Sequence, residues 1–137
     1  MRLAEPSISP IVRDGVERAC TDFDVLADKW GFRRTKARTW SRSFGDVVET
    51  IYFHRNGSSY GASRTASVDL RVHFASNPSA SALVLNGPSS EALRDSRGYA
   101  YHLRFNAESW STYERCITDL QRVVEEHGLP WFGKARL

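Results

Sequence analysis

A two-residue alternation of apolar and polar side chains is the feature that most restricts how this chain can fold. The stretch SVDLRVHF, residues 67 to 74, places a large apolar residue at every second position and a polar one between. Successive side chains of a β-strand point to opposite faces of a sheet, so this pattern is typical of a strand with one buried and one wet face. The residues expected to be buried are Val68, Leu70, Val72 and Phe74.

Other stretches show the same rhythm. The segments RTWSRSF, residues 38 to 44, and DVVETIYFHR, residues 46 to 55, flank a Gly45-Asp46 pair that is typical of a tight turn, which predicts an antiparallel hairpin. The segment YAYHLRF, residues 99 to 105, predicts a later strand. Its expected buried residues are Tyr99, Tyr101, Leu103 and Phe105, and its expected exposed residues are Ala100, His102 and Arg104.

The links between these strands are rich in turn-forming residues. Residues 56 to 65, NGSSYGASRT, predict a mobile loop. Residues 75 to 98 are expected to hold a short strand at Ala82 to Leu85 and a helical turn near Ser90 to Arg94. A link of this length is uncommon in a compact domain unless it is functional or disordered, so we treat it as a candidate contact segment.

The N-terminal segment has the period of an amphipathic helix. Ser9 followed by Pro10 is typical of an N-cap and a first-turn proline, and Gly31 is a left-handed stop. The apolar stripe between them consists of Val12, Val16, Ala19, Phe23, Leu26 and Trp30. A helix is therefore predicted between Ser9 and Gly31.

A second amphipathic helix is predicted later in the chain. Ser111 and Glu114 form a capping-box pattern, and Gly128 followed by Pro130 predicts the end of the helix. Its apolar stripe consists of Tyr113, Cys116, Ile117, Leu120, Val123 and Val124. The Trp131-Phe132 pair that follows is expected to fold back over the core, and the alternative is an exposed anchor for another protein.

These elements predict a fold class. Strands joined by short or irregular links favour an antiparallel sheet, and two amphipathic helices suffice to cover one of its faces. We therefore predict an α+β, two-layer sandwich in which the N- and C-terminal helices pack on one face of an antiparallel, four- to five-stranded sheet. The chain of 137 residues, 41% of them hydrophobic, is long enough for one domain, residues 1 to 137, that needs no metal or disulfide to fold.

The sequence carries no sign of export or membrane insertion. The start, MRLAEPSISP, lacks the apolar stretch of a signal peptide, and no apolar run is long enough to cross a bilayer, so a cytoplasmic protein without membrane contact is expected. Cys20 and Cys116 lie on the apolar helical stripes, which predicts buried thiols. A disulfide between them is disfavoured in a reducing compartment.

A run of basic residues leads into the first hairpin. No acidic residue lies between Lys29 and Gly45. The basic segment comprises Arg33, Arg34, Lys36, Arg38 and Arg42. In a single strand its even positions share a face with Trp40 and Phe44, which the core needs, so a charged edge strand that resists pairing with other chains is favoured. The alternative is a weak nucleic-acid or anion binder that contacts phosphates through this segment.

The predicted wet face of the sheet gathers residues suited to binding. The candidate binding residues are Tyr52, His54, Arg71, His73, His102 and Arg104, with Thr50 and Asp69 beside them. Arginine forks and aromatic rings recognise anionic or flat partners. No metal site is predicted from the histidines, because residues two apart on a strand are separated by about 6.8 Å and no HxH, HExxH or CxxC pattern occurs.

No motif indicates catalysis or a cofactor. The sequence has no Gly-rich phosphate loop, no GxSxG elbow and no Cys-His arrangement, so we assign no catalytic residue. An enzyme of unknown reaction on the histidine-bearing sheet face is kept as an alternative. It requires a pocket that encloses His54, His73 or His102 with a nearby carboxylate.

The run LADKWGFRRTKARTWSRSFGDVVETIYFHRN, residues 26 to 56, resembles a bacterial family known only as domain of unknown function 4304. The similar features are a helix that ends in Gly31-Phe32, a basic segment before an aromatic strand, and a Gly45-Asp46 turn before Val47 to Phe53. The strand SVDLRVHF and the closing segment Leu129 to Phe132 are also similar. Such proteins often carry Gln where this chain has His54. The resemblance implies the fold and no activity.

The function expected from these observations is protein binding. We expect a small, cytoplasmic, non-catalytic bacterial module without a cofactor, comparable in size and architecture to interaction or immunity proteins. The contact surface is expected to combine the exposed sheet face with residues 56 to 65 and 75 to 98.

Overall fold

The computed structural model describes residues 8–55, 66–78 and 83–136, and its architecture is α+β. Helices pack against one face of an antiparallel sheet, which confirms the predicted fold class. The loop predicted at residues 56–65 and the start of the strand predicted at Ala82 lie outside the described residues.

The elements follow one another in the order helix, strands, helices. The helices are α1 (Ile8–Lys29), α2 (Tyr113–Val123) and α3 (Leu129–Ala135), with a 3-10 turn at Ser90–Ala92. The strands are β1 (Arg33–Lys36), β2 (Thr39–Phe44), β3 (Val47–Arg55), β4 (Ser67–Pro78), β5 (Leu85–Asn86) and β6 (Arg104–Asn106). The sheet has the order β1-β2-β3-β4-β5. β5 and β6 both pair with the edge of β4 that faces away from β3, β6 at the start of β4 and β5 near its end.

The predicted hairpin is confirmed as β2 and β3. Their register runs from Thr39 opposite Tyr52 to Phe44 opposite Val47. Gly45 occupies the turn with φ of 59°, a left-handed conformation that glycine adopts without steric cost. The hairpin is therefore specified by its own turn and by the alternation of its strands.

The basic segment forms two strands where one was predicted. The strand predicted at residues 38 to 44 is β2, whereas the basic residues before it, considered as a continuation of that strand, turn back between Lys36 and Thr39 and form β1, an antiparallel edge strand on β2. No glycine or proline marks this turn, so the sequence pattern alone did not reveal it. Three of the four residues of β1 are exposed, consistent with a charged edge that discourages strand pairing.

The alternating residues of the strands build the core as predicted. The inward residues of β4 are Val68, Leu70, Val72 and Phe74, and each is at most 2% exposed. The ring of Phe23 on α1 meets the fully buried Trp40 of β2 edge-on, with ring centroids 4.6 Å apart. Cys20 and Cys116 are free and buried, as expected.

Two aromatic residues predicted to be buried are instead exposed. Phe44 is 53% exposed because it forms the last residue pair of the hairpin, next to the turn. Tyr99 is 63% exposed because the strand predicted over residues 99 to 105 begins only at Arg104. Tyr99 follows a turn at residues 96–97, and its amide donates a hydrogen bond to Asp95 Oδ1 at 3.0 Å.

The start and end of the C-terminal helix also differ from the prediction. Thr112 precedes α2 in a left-handed conformation without a side-chain cap, so the capping box predicted at Ser111 is wrong. Gly128 does not end the helix, because a π-helical turn at Val124–Gly128 joins α2 to α3. Gly128 instead permits close packing, since a Cβ there would lie 2.6 Å from Cζ of Phe74.

The residues after Gly128 continue as helix over the core. Pro130 is the second residue of α3 and follows the π-helical turn directly, so the chain stays helical through this proline. Phe132 is fully buried, with its ring centroid 5.8 Å from those of Phe32 and Phe74. This confirms that the aromatic pair packs over the core. Within the described ranges, no helix combines the length and apolar character needed to span a membrane.

Candidate binding surface on the sheet

The six candidate residues of the wet face fall into two neighbouring groups. The register of β3 and β4 sets Tyr52 opposite His73 and His54 opposite Arg71. These side chains alternate with buried residues that face the helices, so they lie on the face that no described helix covers. We call Tyr52, His54, Arg71 and His73 the sheet-face patch.

The rings of the sheet-face patch contact one another across the strands. Tyr52 and His73 are stacked, with centroids 5.0 Å apart and planes inclined by 11°. The ring of His54 meets His73 edge-on at 6.2 Å. Because both strands belong to the centre of the sheet, these rings are presented by rigid backbone and lose little freedom on contact with a partner.

The environment of His73 disfavours its charged form. Partial burial lowers the pKa of His73, and the nearby His54 imidazole lowers it further. His73 is therefore predominantly neutral near pH 7, which suits stacking on Tyr52. In the part of the chain that the structure describes, no group of three or more His, Cys, Asp or Glu side chains is placed to hold a metal ion.

The other two candidates, His102 and Arg104, line a separate pocket at the edge of β4. Between its pairings with β6 and β5, β4 is bordered by irregular chain: the Leu70 amide donates to the Leu103 carbonyl at 2.9 Å, and the Val72 amide donates to Ser90 Oγ at 2.8 Å. The resulting cavity, here the edge pocket, has a volume of about 370 Å³. Its charged or imidazole-bearing lining residues are Asp69, Arg71, Glu91, His102, Arg104 and Arg115.

His102 is held between the sheet edge and α2. Its backbone amide donates a hydrogen bond to Asp119 Oδ2 at 2.6 Å. Burial lowers the pKa of the His102 ring, and the positive charges of Arg115 and Arg104 add to this effect. Its Nε2 atom is buried and has no hydrogen-bond partner among the described residues.

Positive charge exceeds negative charge around the edge pocket. Arg71 forms an ion pair with Glu91 at 3.3 Å. Arg104 and Arg115 are exposed and form no ion pair with any other residue in the described ranges. The pocket is thus able to attract an anion without first breaking an internal salt bridge of either residue.

Arg71 belongs to both surfaces. It lies in the sheet-face patch beside His54 and also lines the edge pocket with His102 and Arg104. The wet-face prediction therefore named residues that are near neighbours but not one cluster. It missed Arg115 and Glu91, because they come from α2 and from the 3-10 turn, and no period within the strands points to them.

One arginine of the basic segment, Arg34, forms internal ion pairs with α1. Arg34 contacts Asp24 at 2.7 Å and Glu17 at 2.8 Å. Trp40 Nε1 also donates to Asp24, at 2.7 Å. The Arg34 hydrogen bond is the main cause of a lowered pKa of the Asp24 carboxyl. This arginine therefore joins β1 to α1 and is not a free ligand for phosphate.

Arg42 is paired inside the protein as well. It donates to the fully buried Glu49 at 2.8 Å and to the Trp30 carbonyl at 2.6 Å. Glu49 was missed by the sequence analysis, although its position is in phase with the inward residues Ile51 and Phe53. A charged residue in phase with a buried stripe is the signal that would have predicted an internal ion pair.

The remaining members of the basic segment are Arg33, Lys36 and Arg38. Arg33 and Lys36 are exposed on the edge strand β1. Arg38 is partly buried, and its Nε atom has no hydrogen-bond partner in the part of the chain that the structure describes. The segment therefore offers fewer free charges than its sequence indicates.

No family model, no curated protein and no solved structure matches this chain. The resemblance of residues 26 to 56 to domain of unknown function 4304 stays a prediction.

Proposed function

We propose that this protein is a non-catalytic binding module that holds another protein against the sheet face that no described helix covers. The observation that carries this proposal is the stacking of Tyr52 on His73, with His54 and Arg71 directly beside them. Aromatic and arginine side chains are enriched in the energetically important centres of protein interfaces. Rings already held in place by a sheet bind with a smaller loss of conformational entropy.

The surroundings of the sheet-face patch favour a broad, flat contact. Neighbouring outward positions on β2 and β3 carry the short hydroxyl residues Thr39, Ser41 and Thr50, and the Ser41 and Thr50 hydroxyls lie 3.1 Å apart. Small polar side chains leave the central rings and Arg71 accessible to a large partner. The partner class that fits is a protein surface presenting carboxylates and flat apolar groups.

The same proposal places the protein in the bacterial cytoplasm and includes it in domain of unknown function 4304. Free thiols at Cys20 and Cys116 support a reducing compartment. Nucleic-acid binding through the basic segment is less well supported, because Arg34 and Arg42 are engaged in internal ion pairs.

An enzyme is the second candidate function, and one observation favours it. His102 lines the edge pocket together with Asp69 and Glu91, so the pocket contains an imidazole and two carboxylates, the side chains that most often act in acid-base catalysis. We rank it second because the unpartnered Nε2 atom of His102 is buried, away from a substrate in solvent.

Affinity purification from the native host with matched variants tests the proposal. The bait proteins are the wild type, a Tyr52→Ala/His73→Ala variant, and an Arg13→Ala/Asp14→Ala control that changes exposed residues on α1. We expect the same partner to co-purify with the wild type and the control and to be lost with the sheet-face variant. Equal retention by all three baits would reject the sheet face as the contact surface.

A parallel titration with labelled oligonucleotides at two salt concentrations tests the alternative that the basic segment binds nucleic acid. The proposal predicts negligible binding at physiological salt. Binding that falls steeply with salt and weakens in an Arg33→Ala/Lys36→Ala variant would favour a nucleic-acid partner instead.

A further inference from the structure

We propose that the edge pocket binds a small free oxyanion, through a carboxylate or phosphate group held between Arg104 and Arg115. This inference goes beyond the protein-binding function proposed above and does not depend on it. Arg115 belongs to none of the surfaces indicated by the sequence, and the pocket exists only because β4 changes pairing partner along its length.

The first support is the construction of the cavity. Its walls come from β4, the 3-10 turn, the segment before β6, and α2. Hydrogen bonds from the Leu70 and Val72 amides fix the irregular segments to the strand edge at 2.9 Å and 2.8 Å. A volume of about 370 Å³ is within the usual range for small-ligand pockets.

The second support is the arrangement of charge. Arg104 at the start of β6 and Arg115 on α2 reach the same cavity from different elements. Neither forms an ion pair with another described residue, whereas the third arginine of the pocket, Arg71, is paired with Glu91. Asp69, opposite Arg104 in the register of β4 and β6, lines the cavity as well, so its three arginines exceed its two carboxylates, Asp69 and Glu91, by one positive charge. A bound oxyanion compensates this excess through charge-assisted contacts with Arg104 and Arg115.

The pKa of the His102 ring is affected by two arginines of the edge pocket. After burial, the charges of Arg115 and Arg104 are the next causes that lower the pKa of the ring, whereas Asp119 acts in the opposite direction. The two arginines therefore lie within electrostatic range of the His102 ring, which lines the same pocket. Guanidinium groups form forked hydrogen bonds with either carboxylates or phosphates, so the two anion classes are separated by experiment.

The experiment is an amide-resonance titration of the full chain with inorganic phosphate and, separately, with succinate. Sodium chloride at matched ionic strength corrects for general screening. We expect saturable shifts centred on residues 69–71, 90–91, 102–104 and 115 with at least one of the two anions. The anion that binds more tightly identifies the ligand class.

Matched substitutions test the assigned contacts. Arg104→Gln and Arg115→Gln are each expected to weaken binding by roughly tenfold, whereas the exposed control Arg13→Gln leaves it unchanged. Thermal unfolding provides a second readout, because an anion that binds the native state raises the midpoint of the wild type more than that of either pocket variant. Shifts reproduced by chloride, binding unaffected by both arginine substitutions, or no saturable shift with either anion would overturn the proposal.

Discussion

Arg136 holds Glu49 with two hydrogen bonds, from Nε to Oε2 at 2.7 Å and from Nη2 to Oε1 at 2.8 Å, and so joins the end of α3 to β3. Arg42 on β2 donates to the same carboxylate at 2.8 Å. Burial raises the pKa of Glu49, but the hydrogen bonds from Arg136 and Arg42 outweigh burial and leave the pKa lowered. Glu49 is therefore an ionised carboxylate with no exposed surface.

Replacing Glu49 is expected to be strongly destabilising. Glu49→Gln removes the charge that compensates Arg42 and Arg136, whose side chains are only 18% and 22% exposed. Breaking a buried ion pair by removing one partner costs about 3 kcal/mol of the free energy of unfolding. Urea unfolding measures this loss, with the exposed Glu114→Gln on α2 as the control. A loss no larger than that of the control would contradict a structural role for this cluster.

Neighbouring arginines in the basic segment are expected to behave differently. Arg34→Ala breaks the contacts with Asp24 and Glu17 and should lower the free energy of unfolding by about 1–2 kcal/mol, because hydrogen bonds between charged groups are lost from a partly exposed site. Arg33→Ala removes an exposed side chain and should change stability by less than about 0.5 kcal/mol. Equal effects in urea unfolding would show that the pairing of Arg34 is unimportant.

Two glycines near the end of the chain should respond to alanine with opposite signs. Gly128→Ala places a Cβ 2.6 Å from Cζ of Phe74, and overpacking of this kind costs about 1–3 kcal/mol. Gly133→Ala on α3 meets nothing within 4 Å and should stabilise the helix by up to about 1 kcal/mol. Thermal unfolding midpoints of the two variants test this contrast. Stabilisation by both would mean that Phe74 moves away from Gly128 without cost.

Stability is expected to fall as the pH drops below about 6.5, the ordinary pKa of histidine. The pKa values of His73 and His102 are lowered in the folded protein, chiefly by burial. At pH values between the folded-state and unfolded-state pKa, the unfolded protein therefore binds more protons than the folded protein. The contribution of these two histidines to the free energy of unfolding is complete above the unfolded-state pKa and is lost as the pH falls through the folded-state pKa.

Urea unfolding at about pH 7.5 and pH 5.5 measures this linkage. The difference in free energy between the two pH values should shrink in a His73→Asn/His102→Asn variant. The charged groups that act on these rings are His54, Glu91 and Arg71 around His73, and Arg115, Arg104 and Asp119 around His102. An unchanged difference in the variant would assign the pH dependence to other groups.

Much of the fold was predictable because it depends on neighbours in the chain. The inward stripe of β4 from Val68 to Phe74 and the helix that ends before Gly31 are encoded by periods of two and of three to four residues, and both are confirmed. The turn between Lys36 and Thr39 was missed because no glycine or proline marks it. Tyr99 was misassigned because alternation continues beyond the residues that pair in β6.

The candidate surfaces depend more strongly on long-range geometry. The outward direction of Tyr52 and His73 followed from alternation, but their stacking requires the register of β3 with β4. Arg115 was not predicted at all, since it reaches the edge pocket from a helix far along the chain. The sequence overstates the number of free charges in the basic segment, because Asp24 and Glu49, which pair with Arg34 and Arg42, lie on other elements.

The sequence by itself determined which residues form helices and strands and which side of each is apolar, because those preferences arise from steric and solvation effects within a few residues. Only the tertiary structure decided which charges are neutralised inside, as with Glu49 and its arginines, and which remain to line a cavity, as with Arg104 and Arg115. The physical reason is that charge pairing and cavity formation depend on distances between elements, and those distances are set by how the sheet and helices pack.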